Sequence, residues 1–105
     1  MSERLVALST VGRAEDAERI ARALVERRLA ACVNVVPNVV SVYRWKGEVS
    51  RDQELLLVIK TVRGRLDALR EALLGMHPYE VPELVAFSVA AGHEPYLAWL
   101  DESVS

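Results

Sequence analysis

Residues 31–62, ACVNVVPNVVSVYRWKGEVSRDQELLLVIKTV, read as one β-hairpin with unusually long arms. Apolar and β-branched residues crowd both arms, and Lys46-Gly47, between Trp45 and Glu48, supplies a two-residue turn. At about 3.3 Å per residue, the arm from Ala31 to Trp45 reaches roughly 50 Å if it runs without interruption. A compact chain of this length has a radius of gyration near 13 Å, hence a diameter of roughly 33 Å. The tip is therefore expected to project beyond the body that carries it. Val39, Val40, Val42, Tyr43, Trp45 and Val49 lie in that tip, and an exposed two-stranded ribbon cannot shelter them from water. A second copy of the same chain is the simplest cover. Pro37-Asn38 opposes this reading, because a proline without an N–H bends or interrupts a ladder.

The remaining segments order themselves around this ribbon. Arg4–Val11 is short, apolar and partly β-branched, the pattern of a buried strand. Residues 14–29 switch to helical period, with Ala17, Ile20, Ala21 and Leu24 on one face and acids in the first turn. After the hairpin, Thr61 is placed to cap a second helix over 63–74, with Leu66, Leu69 and Leu73 inward and Gly75 as its stop. Leu84–Ala90 reads as a last core strand, and Pro95 suits the first turn of a short terminal helix holding Tyr96, Leu97, Trp99 and Leu100. The order β-α-β-β-α-β plus a helix is the α+β ferredoxin-like sandwich, in one domain spanning residues 1–105. That fold hosts many unrelated activities, so the side chains must carry the functional reading.

Composition narrows the classes. The chain has 105 residues, a net charge of −2 and a pI near 5.7, with no basic face for nucleic acid or an anionic membrane. The one cysteine, Cys32, excludes an internal disulfide, and with no signal-like or spanning segment the expected compartment is the cytoplasm. Recognition of RNA on the sheet is discarded, since the first strand has no aromatic and the last only Phe87.

Among chemistry-bearing residues, His77 stands out in the loop Met76-His77-Pro78-Tyr79-Glu80-Val81-Pro82-Glu83. An imidazole among carboxylates suits a divalent cation, but a lone histidine with no second histidine at i+2 or i+4 more often serves structural hydrogen bonding. His93 precedes a helix and is expected to help cap it, and Cys32 lies in a small-residue apolar run. Tyr43 and Trp45 share one face of the hairpin arm, where they either line a cleft or pack between subunits. Lys60, at the end of an apolar run, is placed for an anion or for pairing with an acid such as Glu83.

Several of these features recur together in one family. Ala31-Cys32-Val33-Asn34, Ser41-x-Tyr43-x-Trp45-x-Gly47, Glu54 through Lys60-Thr61, His77-Pro78-Tyr79-Glu80-Val81-Pro82-Glu83 and Tyr96-Leu97-x-Trp99 resemble the CutA divalent-cation-tolerance family. The resemblance runs from about Val6 to Trp99. It implies a ferredoxin-like subunit in a tight homotrimer, architecturally related to the PII nitrogen-signalling trimers, with no established enzymatic reaction. It also implies binding of copper, Cu(2+), or another divalent cation. The family's proposed ligands, a first-strand cysteine and paired histidines, fall on Ser9, Met76 and His77, of which only His77 keeps a ligand imidazole. A thioether at Met76 suits cuprous better than cupric copper. The second reading is a PII-like module holding a small anion or peptide in inter-subunit clefts lined by Tyr43, Trp45, Lys60, Tyr79 and Glu83.

Overall fold

The computed structural model describes residues 3–105. Its elements are β1 (Arg4–Val11), α1 (Ala14–Glu26), β2 (Cys32–Trp45), β3 (Glu48–Val62), α2 (Arg63–Met76), β4 (Val85–Ser88) and α3 (Glu94–Ser103). The four strands form one antiparallel sheet in the order β2-β3-β1-β4, the expected ferredoxin-like arrangement. Alternate residues of β1 (Leu5, Ala7, Ser9, Val11) point inward, and Ala7 and Val11 join Leu57 and Ile59 of β3 beneath α1 and α2. The α1 side chains in that core are Ala17, Ile20 and Leu24, with Ala21 also buried, the same four that helical spacing selects.

Helix α1 ends three residues earlier than its pattern suggests. Arg28 takes φ 58° just past the C-cap, its N–H donating to the Val25 carbonyl while Leu29 N–H donates to that of Leu24. This is a Schellman closure with arginine where glycine is usual, sealed by two buried leucines, Leu24 and Leu29. Helix α2 departs from expectation at both ends. Thr61 does not cap it; its buried Oγ1 donates to the Leu29 carbonyl at 2.6 Å, and Val62 occupies the N-cap. Gly75 does not stop it either. The helix runs through to Met76 and ends at His77, whose ψ of 135° is the extended conformation that Pro78 imposes on the residue before it.

The hairpin is continuous. Lys46 and Gly47 both have positive φ, 50° and 84°, the pattern of a type I′ turn that matches strand twist. Pro37 and Asn38 bend the arm without breaking it: Val36 faces Leu56, the next pair is Val39 with Glu54, and Asn38 has φ 62°. Two residues thus oppose one, a β-bulge at which the proline needs no partner for an N–H. The ribbon stretches the molecule to 44 × 25 × 22 Å, with Val42 and Val49 each 66% exposed near its tip.

β4 corrects the expectation of a core strand over 84–90. It has four residues and lies at the sheet edge, paired only with Leu5–Leu8 of β1, with Val85 and Phe87 exposed. Those two side chains share the sheet face opposite α1 and α2 with Val6, Leu8, Val58 and Lys60, as the cross-strand register requires. Helix α3 closes one end by packing Leu100 and Val104 on Ala31 and Val62. A two-pronged Arg4–Asp101 pair, at 3.0 and 2.7 Å, ties it to β1. His93 occupies the N-cap of α3 without a side-chain cap bond, and Tyr96 stacks at a tilt on Trp99, both largely exposed.

Candidate functional site

A groove of about 390 Å³ lies between the hairpin and the loop that follows α2. Tyr43 and Trp45 from β2 and Tyr79 from the loop give it aromatic walls, and Asp52, Glu54, Glu80 and Glu83 give it four carboxylates. The bulge makes this assembly possible. Side chains alternate along a strand, so Val36 and Val39 should face opposite sides. The extra residue restores phase, and Val39, Ser41, Tyr43 and Trp45 stand across from Glu54, Asp52, Ser50 and Glu48 on one face.

Two phenol–carboxylate pairs order the groove. Tyr43 Oη donates to Asp52, and Tyr79 Oη donates to Glu54 Oε2 at 2.5 Å. Burial, reinforced by the Glu54 carboxylate, pushes the Tyr79 phenol well above its ordinary range, so it remains a proton donor throughout neutral pH. The hydrogen bond to Asp52 chiefly raises Tyr43 in the same direction. Glu54 itself is only 8% exposed. Gly12 lets the loop settle here, for a Cβ at that position would lie 3.1 Å from Tyr79 Oη.

His77 anchors the loop from below. Beyond Leu8 no β4 residue pairs with β1, and there His77 Nε2–H donates to the Thr10 carbonyl at 2.8 Å. Its Nδ1 accepts the Tyr79 backbone N–H at 3.1 Å, and its ring packs against the Tyr79 ring with centroids 4.7 Å apart. Both ring nitrogens are engaged, which fixes the neutral Nε2–H tautomer. The imidazole is thereby the bracket that positions Tyr79.

The other family-matched metal positions are differently placed. Ser9 is fully buried, and its Oγ has no hydrogen-bond partner among the described residues. Met76 is half-buried against the apolar core, and its carbonyl accepts from Arg19 at 3.0 Å. Among the described residues no three His, Cys, Asp or Glu side chains converge as a metal cage. A hydroxyl, a core-packed thioether and an imidazole with both nitrogens occupied do not fit a prearranged cupric site.

Of the residues expected in inter-subunit clefts, Tyr43, Trp45, Tyr79 and Glu83 come together in this groove within one chain. Lys60 does not, and it does not pair with Glu83: its ammonium bonds Asn34 Oδ1, which also lies 3.9 Å from Cys32 Sγ. Asp52 and Glu54 escaped notice as a groove pair. The available signal was their same-parity spacing just ahead of the Leu55–Ile59 run.

The four-stranded sandwich with its overlong hairpin and its aromatic, acidic groove defines a class, the small ferredoxin-like proteins. The chain belongs to the CutA1 family: the profile described as "CutA1 divalent ion tolerance protein" matches residues 5–103. The divalent-cation tolerance protein CutA of Thermus thermophilus is 54% identical over 98 residues, 93% of this chain and 95% of that one. Protein CutA of Mus musculus is 50% identical over 92 residues, and the match spans only 52% of the mouse protein. The solved structure of the Thermus thermophilus protein superimposes with a TM-score of 0.95 at 52% identity, over 97% of this chain and 99% of that one. CutA from Xylella fastidiosa gives the same score at 39% identity, over 99% and 100% of the two chains. Membership connects this chain with divalent-cation tolerance in general.

Proposed function

We propose that this chain acts in the cytoplasm as a homotrimer that binds divalent cations, copper among them, weakly and without catalysing a reaction. The observation that carries this reading is the family match along residues 5–103, combined with a surface that one copy leaves uncovered. Val85 and Phe87 on the open sheet face, and Val40, Val42 and Val49 on the ribbon, are exposed apolar side chains of the kind that oligomer interfaces bury. Weak affinity follows from His77: a metal reaching either nitrogen must first displace a hydrogen bond to Thr10 or Tyr79.

Sedimentation tests the assembly. A species of about three times 11.7 kDa is expected at micromolar protein, and a folded, monodisperse single chain refutes it. Isothermal titration with cupric ion tests the metal. Saturable heat that falls in His77→Ala is expected, and absence of saturable heat removes the claim.

A further inference from the structure

We infer that the three-ligand metal position implied by the family does not assemble in this chain. Ser9 and Met76 serve the core, and His77 is the one family-matched side chain left to meet a cation. This rests on the cation-binding reading above and narrows it, because the weakness of binding is then traced to Ser9 and Met76 as well as to the engaged imidazole.

Ser9 stands on the inward face of β1, between Ala7 and Val11 and across the ladder from Leu57, and all four are without solvent exposure. Its Oγ has no hydrogen-bond partner among the described residues. A cation reaching it would shed its water into an apolar core, and one neutral hydroxyl is a poor replacement for that shell. The orphaned hydroxyl is a cost to folding, not a ligand in waiting.

The other two positions point to the same conclusion. His77 Nε2 meets the Thr10 carbonyl, which lies in the plane of the sheet, whereas strand side chains such as Ser9 stand out of that plane. This stretch of β1 thus engages the imidazole through its backbone and not through Ser9. Met76 closes α2, and its side chain packs, partly buried, against the cluster that holds Leu69, Ala72 and Leu73. Arg19 fixes that last turn by donating to the Met76 carbonyl at 3.0 Å. A thioether brings no charge to a divalent ion and suits a softer one. That leaves the Nδ1 lone pair of His77, already shared with the Tyr79 N–H.

Two measurements on the full chain test this. In urea unfolding with chelator, at one protein concentration, Ser9→Ala is expected to raise the midpoint by about 0.5 M, the scale of relieving one unsatisfied buried hydroxyl. A midpoint unchanged or lowered overturns the inference. The ligand set is tested by titration with cobaltous ion, whose absorption reports thiolate ligation, in a Cys32→Ser background that removes the one native thiol. There Ser9→Ala and Met76→Leu are expected to change affinity less than about twofold, while Ser9→Cys/Met76→His binds at least about tenfold tighter and gains a thiolate charge-transfer band. Should that pair fail to fold, Met76→His alone takes its place, with at least about threefold tightening expected. Weakening by Ser9→Ala or Met76→Leu overturns the inference, as does a restored pair no tighter than its background. A native chain silent toward copper, beside a restored pair that binds cobalt, removes the copper claim above and leaves this inference standing.

Discussion

Replacing His77 with alanine separates its role as a bracket from any role as a metal ligand. The substitution deletes the bond from Nε2 to the Thr10 carbonyl and the bond accepted by Nδ1 from the Tyr79 N–H. Each is worth about 0.5–1.5 kcal/mol net, so about 2 kcal/mol is expected for the pair. Loss of the ring contact with Tyr79 adds to this, because His77 is 8% exposed and leaves a small void. Urea unfolding, with chelator and at one fixed protein concentration, should therefore show the midpoint lowered by about 1 M for a slope near 2 kcal/mol/M. Tyr79 should lose its fixed position in the same variant, and with it the bond to Glu54. An unchanged midpoint in chelator, accompanied by lost stabilisation from added copper, would refute the bracket and make the imidazole a ligand.

Two further outcomes follow from the fold. Arg28→Gly should stabilise the chain by about 0.5–1 kcal/mol in urea unfolding, since relief of the left-handed conformation exceeds the entropy glycine adds to the unfolded chain; a loss of stability would show that the Arg28 side chain matters more than its backbone. Asp101 is held below the usual carboxylate range, chiefly by its hydrogen bonds from Arg4. A depressed folded-state pKa stabilises above the unfolded value and ceases to do so as pH falls through the folded one. The stability difference between the native chain and Asp101→Asn should therefore hold constant at neutral pH and shrink below about pH 4, and a difference indifferent to pH would count against the ion pair.

Much of the fold was legible because short-range rules decide it. The spacing of Ala17, Ile20, Ala21 and Leu24 needs only helical period, and Lys46-Gly47 needs only the turn it makes between two apolar runs. Misreadings arose where a longer-range partner outweighed a local signal. Thr61 is a good cap residue in isolation, but the Leu29 carbonyl, 32 residues away, claims its hydroxyl inside the core. Gly75 is a common helix stop, yet the helix continues because no left-handed residue is required before Pro78 ends it. Leu84–Ala90 has the alternation of a core strand, and nothing local reveals that β4 pairs on one side only.

The groove shows the same division more sharply. Its aromatic residues declared themselves by type, but the sign of its charge depends on which β2 side chains share a face with Asp52 and Glu54. One residue at Pro37-Asn38 sets that. Without the bulge, the β2 arm would slip one position against β3, and Asn38, Val40, Val42 and Arg44 would take the face now held by Val39, Ser41, Tyr43 and Trp45. Arg44 would then stand on the same side as the carboxylates, and valines would replace the aromatic walls. The extra residue thus does more than bend a long strand. It keeps Arg44 off the groove and sets Tyr43 and Trp45 on the face that holds Asp52 and Glu54.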